Sequence, residues 1–116
     1  MQQPAKWKLP LLDRIPVCGT QLIPMIRSFG DKHTEALFRD ERVRQFEGIA
    51  RAAKRKLEAV NAASRLEDLT IPRSNRLEKL KGDLRDFYSI RINEQWRVIF
   101  KWRSGEPHEV RIVDYH

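Results

Sequence analysis

The sequence predicts an α+β fold: an N-terminal strand, then two helices packed on a small antiparallel sheet, with a C-terminal three-stranded meander. Three observations lead there. Between residues 34 and 63 apolar side chains recur at spacings of three and four, the period of helices buried along one stripe. From Leu84 onward the period falls to two, as in strands with one buried face. A length of 116 residues with 41% hydrophobic content suits one domain with one modest core.

Residues 1–24 differ in character from the rest of the chain. Four of the six prolines fall there, and the apolar residues show no period. The segment reads as an extended or weakly ordered arm, and residues 25–116 as the folded domain. Met25 at the junction reads as a native start, which makes 1–24 an upstream extension. The alternative is a functional arm whose Trp7, Leu9, Leu11, Leu12 and Ile15 cover an apolar patch. Residues 25–29 read as a short strand. Asp31 is placed to cap a helix that packs Ala36, Leu37 and Phe38. Residues 44–64 read as a longer amphipathic helix, with Phe46, Ile49, Ala50, Ala53, Leu57, Val60 and Ala63 on one side. Its other side carries Arg51, Lys54, Arg55, Lys56 and Glu58, a solvated or partner-facing row.

A short helical turn at 66–69 and a loop at 72–75 lead into the strands. Phe87, Ser89, Arg91 and Asn93 alternate with Tyr88, Ile90 and Ile92, and Glu94-Gln95 supplies a tight turn. Trp96, Val98 and Phe100 then alternate with Arg97, Ile99 and Lys101. Residues 104–107 make the next turn, and 109–114 the last strand. Helices cover one face of such a sheet and leave the other for a ligand.

Charge narrows the partners. Lys and Arg number 23 against 16 Asp and Glu, a net charge of +7, and residues 25–116 alone retain +5. That balance suits nucleic acid or an acidic protein. Cys18 is the only cysteine, so no internal disulfide forms. No apolar run is long enough to span a bilayer, and prolines at 4, 10, 16 and 24 interrupt any signal-like stretch. A cytoplasmic protein is expected. His33, His108 and His116 lack metal-ligand spacing, a single cysteine excludes a zinc knuckle, and no glycine-rich phosphate loop or G-x-S-x-G elbow is present. No metal or cofactor is expected.

The polar residues that remain suggest RNA chemistry. Alternation puts Trp96 in the core and Arg97 on the opposite face, where a guanidinium can grip a phosphate through two hydrogen bonds. Arg91 and Arg111 lie on or near that face. Lys81, beside the flexible Gly82, is either a phosphate-neutralising cation or one solvated lysine among many. The chain closes on Asp114, Tyr115 and His116. Cleaving RNA through its own 2′-hydroxyl needs a base, an acid for the leaving 5′-oxygen and charge on the phosphate. Imidazole suits either proton role, tyrosine needs neighbouring cations to act as a base, and Asp114 can orient His116 or pair with an arginine. Terminal polar residues are otherwise simply solvated.

From Met25 to His116 the chain resembles the HigB toxins of the RelE superfamily. The resemblance rests on four runs: Met25-Ile26-Arg27-Ser28-Phe29, Arg76-Leu77-Glu78-Lys79-Leu80-Lys81-Gly82-Asp83, Ser89-Ile90-Arg91-Ile92-Asn93-Glu94-Gln95-Trp96-Arg97 and Val113-Asp114-Tyr115-His116. It favours Met25 as the start. It implies a RelE-like fold and a ribosome-dependent endoribonuclease that cuts messenger RNA in the ribosomal A site. It also implies a HigA-like helix-turn-helix antitoxin, with promoter DNA bound only through that antitoxin. By position it implies Lys81 near the scissile phosphate, Arg97 on the phosphate, and Asp114, Tyr115 and His116 in the terminal catalytic triplet. Arg76, Arg91, Asn93 and Lys101 complete the expected RNA-binding set. Some members of the family carry a histidine where Glu78 stands, so that proton-handling role is absent here or falls to Glu78 or His116. A weakly active or inactive RNA- or antitoxin-binding module acting in transcriptional autoregulation is the alternative reading.

Overall fold

The computed structural model describes residues 25–114, so the expectations for residues 1–24 and for Tyr115 and His116 lie outside the described residues. Helix α1 spans Lys32–Phe38, opened by Asp31, whose side chain accepts a hydrogen bond from the Thr34 N–H at 2.7 Å. The helix expected over 44–64 is two pieces, a 3-10 turn Arg44–Phe46 and helix α2, Ala50–Ala62. Gly48, costly to order in a helix, lies between them, and Ile49 departs from helical angles at φ −127°, ψ 5°. Both pieces still bury the apolar side chains expected of them: Phe46, Ala53, Leu57 and Val60 are all buried. Lys54, read from sequence as solvated, instead joins the two helices. Its ammonium donates to the Phe38 carbonyl at 2.7 Å and to Asp40 Oδ1 at 2.5 Å.

Further 3-10 turns at Leu66–Thr70 and Arg73–Asn75 lead into a four-stranded antiparallel sheet of order β1-β2-β3-β4. Its strands are β1 (Glu78–Lys79), β2 (Phe87–Arg91), β3 (Trp96–Arg103) and β4 (Glu106–Asp114). The expected meander is therefore β2–β4, and β1 adds a strand that the sequence pattern did not show. Two exposed charged residues carry no alternation to read.

The sheet has two distinct faces. Ile90, Val98, Phe100 and Ile112 face the helices and pack with Leu37, Val43, Phe46, Leu57, Val60 and Leu69. Trp96 joins this side, edge-on to Phe46 with ring centroids 5.7 Å apart. Directly paired residues share a face, so the pairs Arg91–Arg97, Ser89–Ile99, Ile99–Arg111 and Phe87–Lys101 place these side chains on the other side. Between Ile99 and Lys101 the β3–β4 register shifts at a bulge, and Glu109 there takes a left-handed conformation at φ +53°.

The outer edge of β4 is closed by the start of the domain. Residues 27–30 run beside it, with Gly30 N–H donating to the Val110 carbonyl at 2.8 Å and Val110 N–H to the Ser28 carbonyl at 3.0 Å. The N-terminal strand thus amounts to a single parallel bridge, Phe29 to Val110. A Cβ on Gly30 would stand 2.8 Å from Arg111 Cδ, so this close approach suits glycine. Beyond the bridge, the buried Thr34 hydroxyl accepts the Ile112 N–H at 2.9 Å, which keeps the edge satisfied where the backbone partner ends.

Thr34→Val leaves that buried N–H without an acceptor, and a loss of about 1–3 kcal/mol is expected by denaturant unfolding. A second expectation concerns acid. The Asp68 carboxylate accepts the Arg65 N–H at 3.1 Å and the Ser64 N–H at 2.9 Å, and these bonds, the Arg65 one first, hold it below the ordinary carboxylate range. A carboxylate depressed in the folded state contributes stability above its unfolded pKa and loses it as pH falls through the folded value. Asp68→Asn should therefore flatten the acid side of a Tm-against-pH curve below about pH 4.

Candidate functional site

The face turned away from the helices carries a buried cation. Arg97 is only 8% exposed, although its position on that face reads from sequence as solvent-facing. Its Nη1 donates to Ser89 Oγ at 2.6 Å and to the Arg76 carbonyl at 3.5 Å, and stands 3.0 Å from Glu78 Oε1. Moving a guanidinium out of water is costly unless hydrogen bonds and a counter-charge replace its hydration, and these three acceptors do so. Ser89 comes from β2, Glu78 from β1, and Arg76 from the turn before it. Arg76 itself is left-handed at φ +47°, which is the geometry of its carbonyl's approach.

Arg91 stands directly opposite Arg97 in the ladder and makes no ion pair among the described residues. Like charges directly opposite on a sheet destabilise it modestly. Arg111 lies one step along, opposite Ile99, with its Nε 3.9 Å from Asp31 Oδ2. Lys101 occupies the far end of the face, 3.0 Å from Glu109 Oε2 and with its ammonium 5.2 Å from the Phe87 ring centroid.

Lys81, Asn93 and Asp114, the other expected site residues among those described, stand on different elements. Lys81 is exposed, just past Leu80, whose N–H donates to the Phe87 carbonyl. In register it therefore lies toward the Phe87 end of β2, whereas Arg97 stands at the Arg91 end, about 13 Å away along the strand. Gly82 after it is left-handed at φ +67°, a turn that glycine allows without strain. Asn93 is committed to the β2–β3 turn: its Oδ1 accepts the N–H groups of Gln95 and Trp96, both at 2.8 Å. Asp114 pairs with Trp96, so it belongs to the helix-side alternation rather than to that of Arg97, and its Oδ2 accepts Gln95 Nε2 at 3.0 Å. Ser89 and the Arg76 carbonyl were not foreseen. A small polar residue at a strand position two before Arg91 was the available signal, but only the tertiary pairing gives it a role. Among the described residues, no group of three or more His, Cys, Asp or Glu is placed to hold a metal ion, and no helix is long and apolar enough to cross a membrane.

Residues 27–116 match the family model described as the RelE-like toxin of the type II toxin-antitoxin system HigB. The chain belongs to the HigB family. It is 41% identical over 94 residues to Toxin HigB-1 of Vibrio cholerae, a match that covers 73% of this chain and 99% of that protein. Endoribonuclease HigB of Proteus vulgaris is 30% identical over 61 residues, 53% of this chain and 65% of that protein. The YoeB-YefM complex from Staphylococcus aureus contains a chain of the same fold, with TM-score 0.52 at 20% identity, covering 78% of this chain and 94% of that one. The α+β fold of this HigB-family chain is accordingly RelE-like.

In this HigB-family chain Glu78 pairs with the Arg97 guanidinium at Nη1. Glu78→Gln removes that carboxylate. It is expected to tighten binding of a short oligoribonucleotide about threefold to tenfold at low salt, measured by titration, with the gain shrinking as salt screens it. Folding stability should fall by about 1 kcal/mol, because Glu78 is half exposed and its share of the pair is solvent-screened.

Proposed function

We propose that this HigB-family toxin is a ribosome-dependent endoribonuclease that cuts messenger RNA in the A site of translating ribosomes and so inhibits translation and growth. The observation that carries the reading is Arg97: a buried guanidinium on the sheet face away from the helices, oriented by Ser89 and Glu78 at Nη1 and faced by a second arginine. Such a group binds a phosphate with little reorganisation, because its orientation is already fixed.

In the proposed reaction the RNA 2′-oxygen attacks the adjacent phosphorus and the bond to the 5′-oxygen breaks. A base takes the 2′-hydroxyl proton, and an acid delivers one to the departing 5′-oxygen. Arg97 holds the scissile phosphate and stabilises the negative charge that builds on it. Arg91, directly opposite, adds a second cation, while Arg76 and Lys101 line the RNA path. Lys81, displaced along the sheet, engages the phosphate backbone from the Phe87 end. Tyr115 and His116 carry the proton transfers, as the family resemblance implies, with Asp114 beside them. Asn93 shapes the turn that leads into Trp96 and Arg97. The ribosome supplies RNA positioning that a shallow basic face lacks, an effect worth several kcal/mol. A cytoplasmic location and a HigA-like helix-turn-helix antitoxin complete the reading, with promoter DNA reached through the antitoxin.

A second reading has its own observation in favour. Glu78 already pairs with Arg97, which makes a weakly active or inactive binding module, acting with its antitoxin in transcriptional control, the competing function. Growth and RNA ends separate the two. Brief expression should arrest growth and produce new messenger RNA 5′ ends on translating ribosomes, and Arg97→Ala should abolish both. Arg91→Ala should reduce cleavage by about tenfold, the loss of one charge-assisted phosphate contact. Equal growth and identical RNA ends with the parent and Arg97→Ala proteins would leave only the binding module.

A further inference from the structure

Two of the acceptors on Arg97 come from residues 76–78, and that segment is weakly anchored by its own strand. β1 is two residues long, at the sheet edge, with Leu80 adding one backbone bond to Phe87. Short edge strands open readily, because few hydrogen bonds and little apolar area hold them. Yet Glu78 and the Arg76 carbonyl must be held within a fraction of an ångström for the guanidinium to keep one orientation.

The residue immediately before Arg76 supplies what β1 lacks. Asn75 is 1% exposed, a buried polar side chain that the proposed reaction does not use. Its Nδ2 donates to the Leu69 carbonyl at 3.1 Å and the Ile71 carbonyl at 3.3 Å. Its Oδ1 accepts the Lys56 ammonium at 2.5 Å. Lys56 projects from α2, the helix whose Ala53, Leu57 and Val60 are buried in the core. The Lys56 amine is held below the ordinary lysine range, first by burial and then by the neighbouring charge of Arg55. That partial desolvation makes its bond to Asn75 more than a surface contact.

We propose that Asn75, clamped by Lys56, is a positioning residue for Arg97: it ties residues 76–78 to α2 so that the Arg76 carbonyl and the Glu78 carboxylate meet the guanidinium. The inference deepens the reading of Arg97 as the phosphate-holding group and rests on it. The row of basic residues on α2 acquires a division of labour. Lys56 acts inward through Asn75, while Arg51 and Arg55 remain exposed.

The test uses the full chain and reads Arg97 directly, by ¹⁵N NMR of hydrogen exchange at its Nη1 hydrogens, the ones that meet the Arg76 carbonyl and Glu78. Lys56→Met removes one contact, Asn75→Ala removes all three, and Lys56→Arg restores a cation. Exchange at Arg97 should accelerate about fivefold or more in Lys56→Met and Asn75→Ala, the equivalent of one lost hydrogen bond. It should return toward the parent rate in Lys56→Arg, while backbone exchange at Ile90 and Val98 stays unchanged in Lys56→Met. RNA cleavage on ribosomes should fall in the same order. An unchanged Arg97 rate in folded Lys56→Met overturns the proposal and leaves Asn75 a loop-closing residue only. Should Asn75→Ala fail to fold, the Lys56 pair decides alone. Altered Arg97 exchange in a protein that cuts no RNA supports the positioning role and removes the endoribonuclease reading instead.

Discussion

A guanidinium set into one side of a small sheet, almost out of water, imposes the main constraint on this molecule. Arg97 needs acceptors from the strands around it, and the structure supplies Ser89 from β2, Glu78 from β1 and the carbonyl of Arg76. Each acceptor makes a demand further out. Ser89 is fully buried and must be small enough to let the longer side chain cross it. Glu78 requires an added strand at the sheet edge. Arg76 must adopt a left-handed backbone conformation, directly after the buried amide of Asn75. The ion pair with Glu78 makes the charge tolerable in the free protein, and in the proposed reaction the same carboxylate competes with the scissile phosphate, setting stability against binding.

The division of the sheet into an apolar and a cationic face reflects what each neighbour offers. Helices α1 and α2 present Leu37, Leu57 and Val60, and the strand residues facing them are Ile90, Val98, Phe100 and Ile112. On the reverse side the ladder brings arginines from three strands within a few residues of one another. Repulsion among them is accepted because the core on the other face holds the strands in register. A fully buried leucine or phenylalanine contributes about 1.5–3 kcal/mol, several times the cost of one like-charge pair. Sheet closure works in the same direction. Residues 27–30 and the Thr34 hydroxyl take up backbone groups of the β4 edge at Val110 and Ile112, so an added strand would have to displace them there.

Much of the element order was legible before any tertiary information. The Asp31 cap, the buried stripe through Phe46, Ala53, Leu57 and Val60, and the alternation around Trp96 all appear in the structure as read. Misreadings came where local pattern carries little information. The break at Gly48 was hidden because the apolar spacing continues across it. Two exposed charged residues in β1 carry no period, and Lys54, in a row that reads as solvated or partner-facing, bridges two helices. Of the site, period two puts Arg97 away from the helices with Arg91 on or near the same face, and the ladder sets the two directly opposite, while Asp114 falls on the other alternation and Asn93 is tied up in a turn.

The sequence by itself determined the fold class, the basic character and the family, because these depend on periodicity, composition and contiguous runs of residues. Tertiary structure decided how the charge is used. Burial of Arg97, its bond to Ser89, its pairing with Glu78 and the linkage of Lys56 through Asn75 join residues 8, 19 and 19 positions apart. Hydrogen bonds and desolvation act through space and fall off within a few ångströms. No linear pattern could therefore show that an alternating arginine is a buried one, or that a lysine on a helix face helps to aim it.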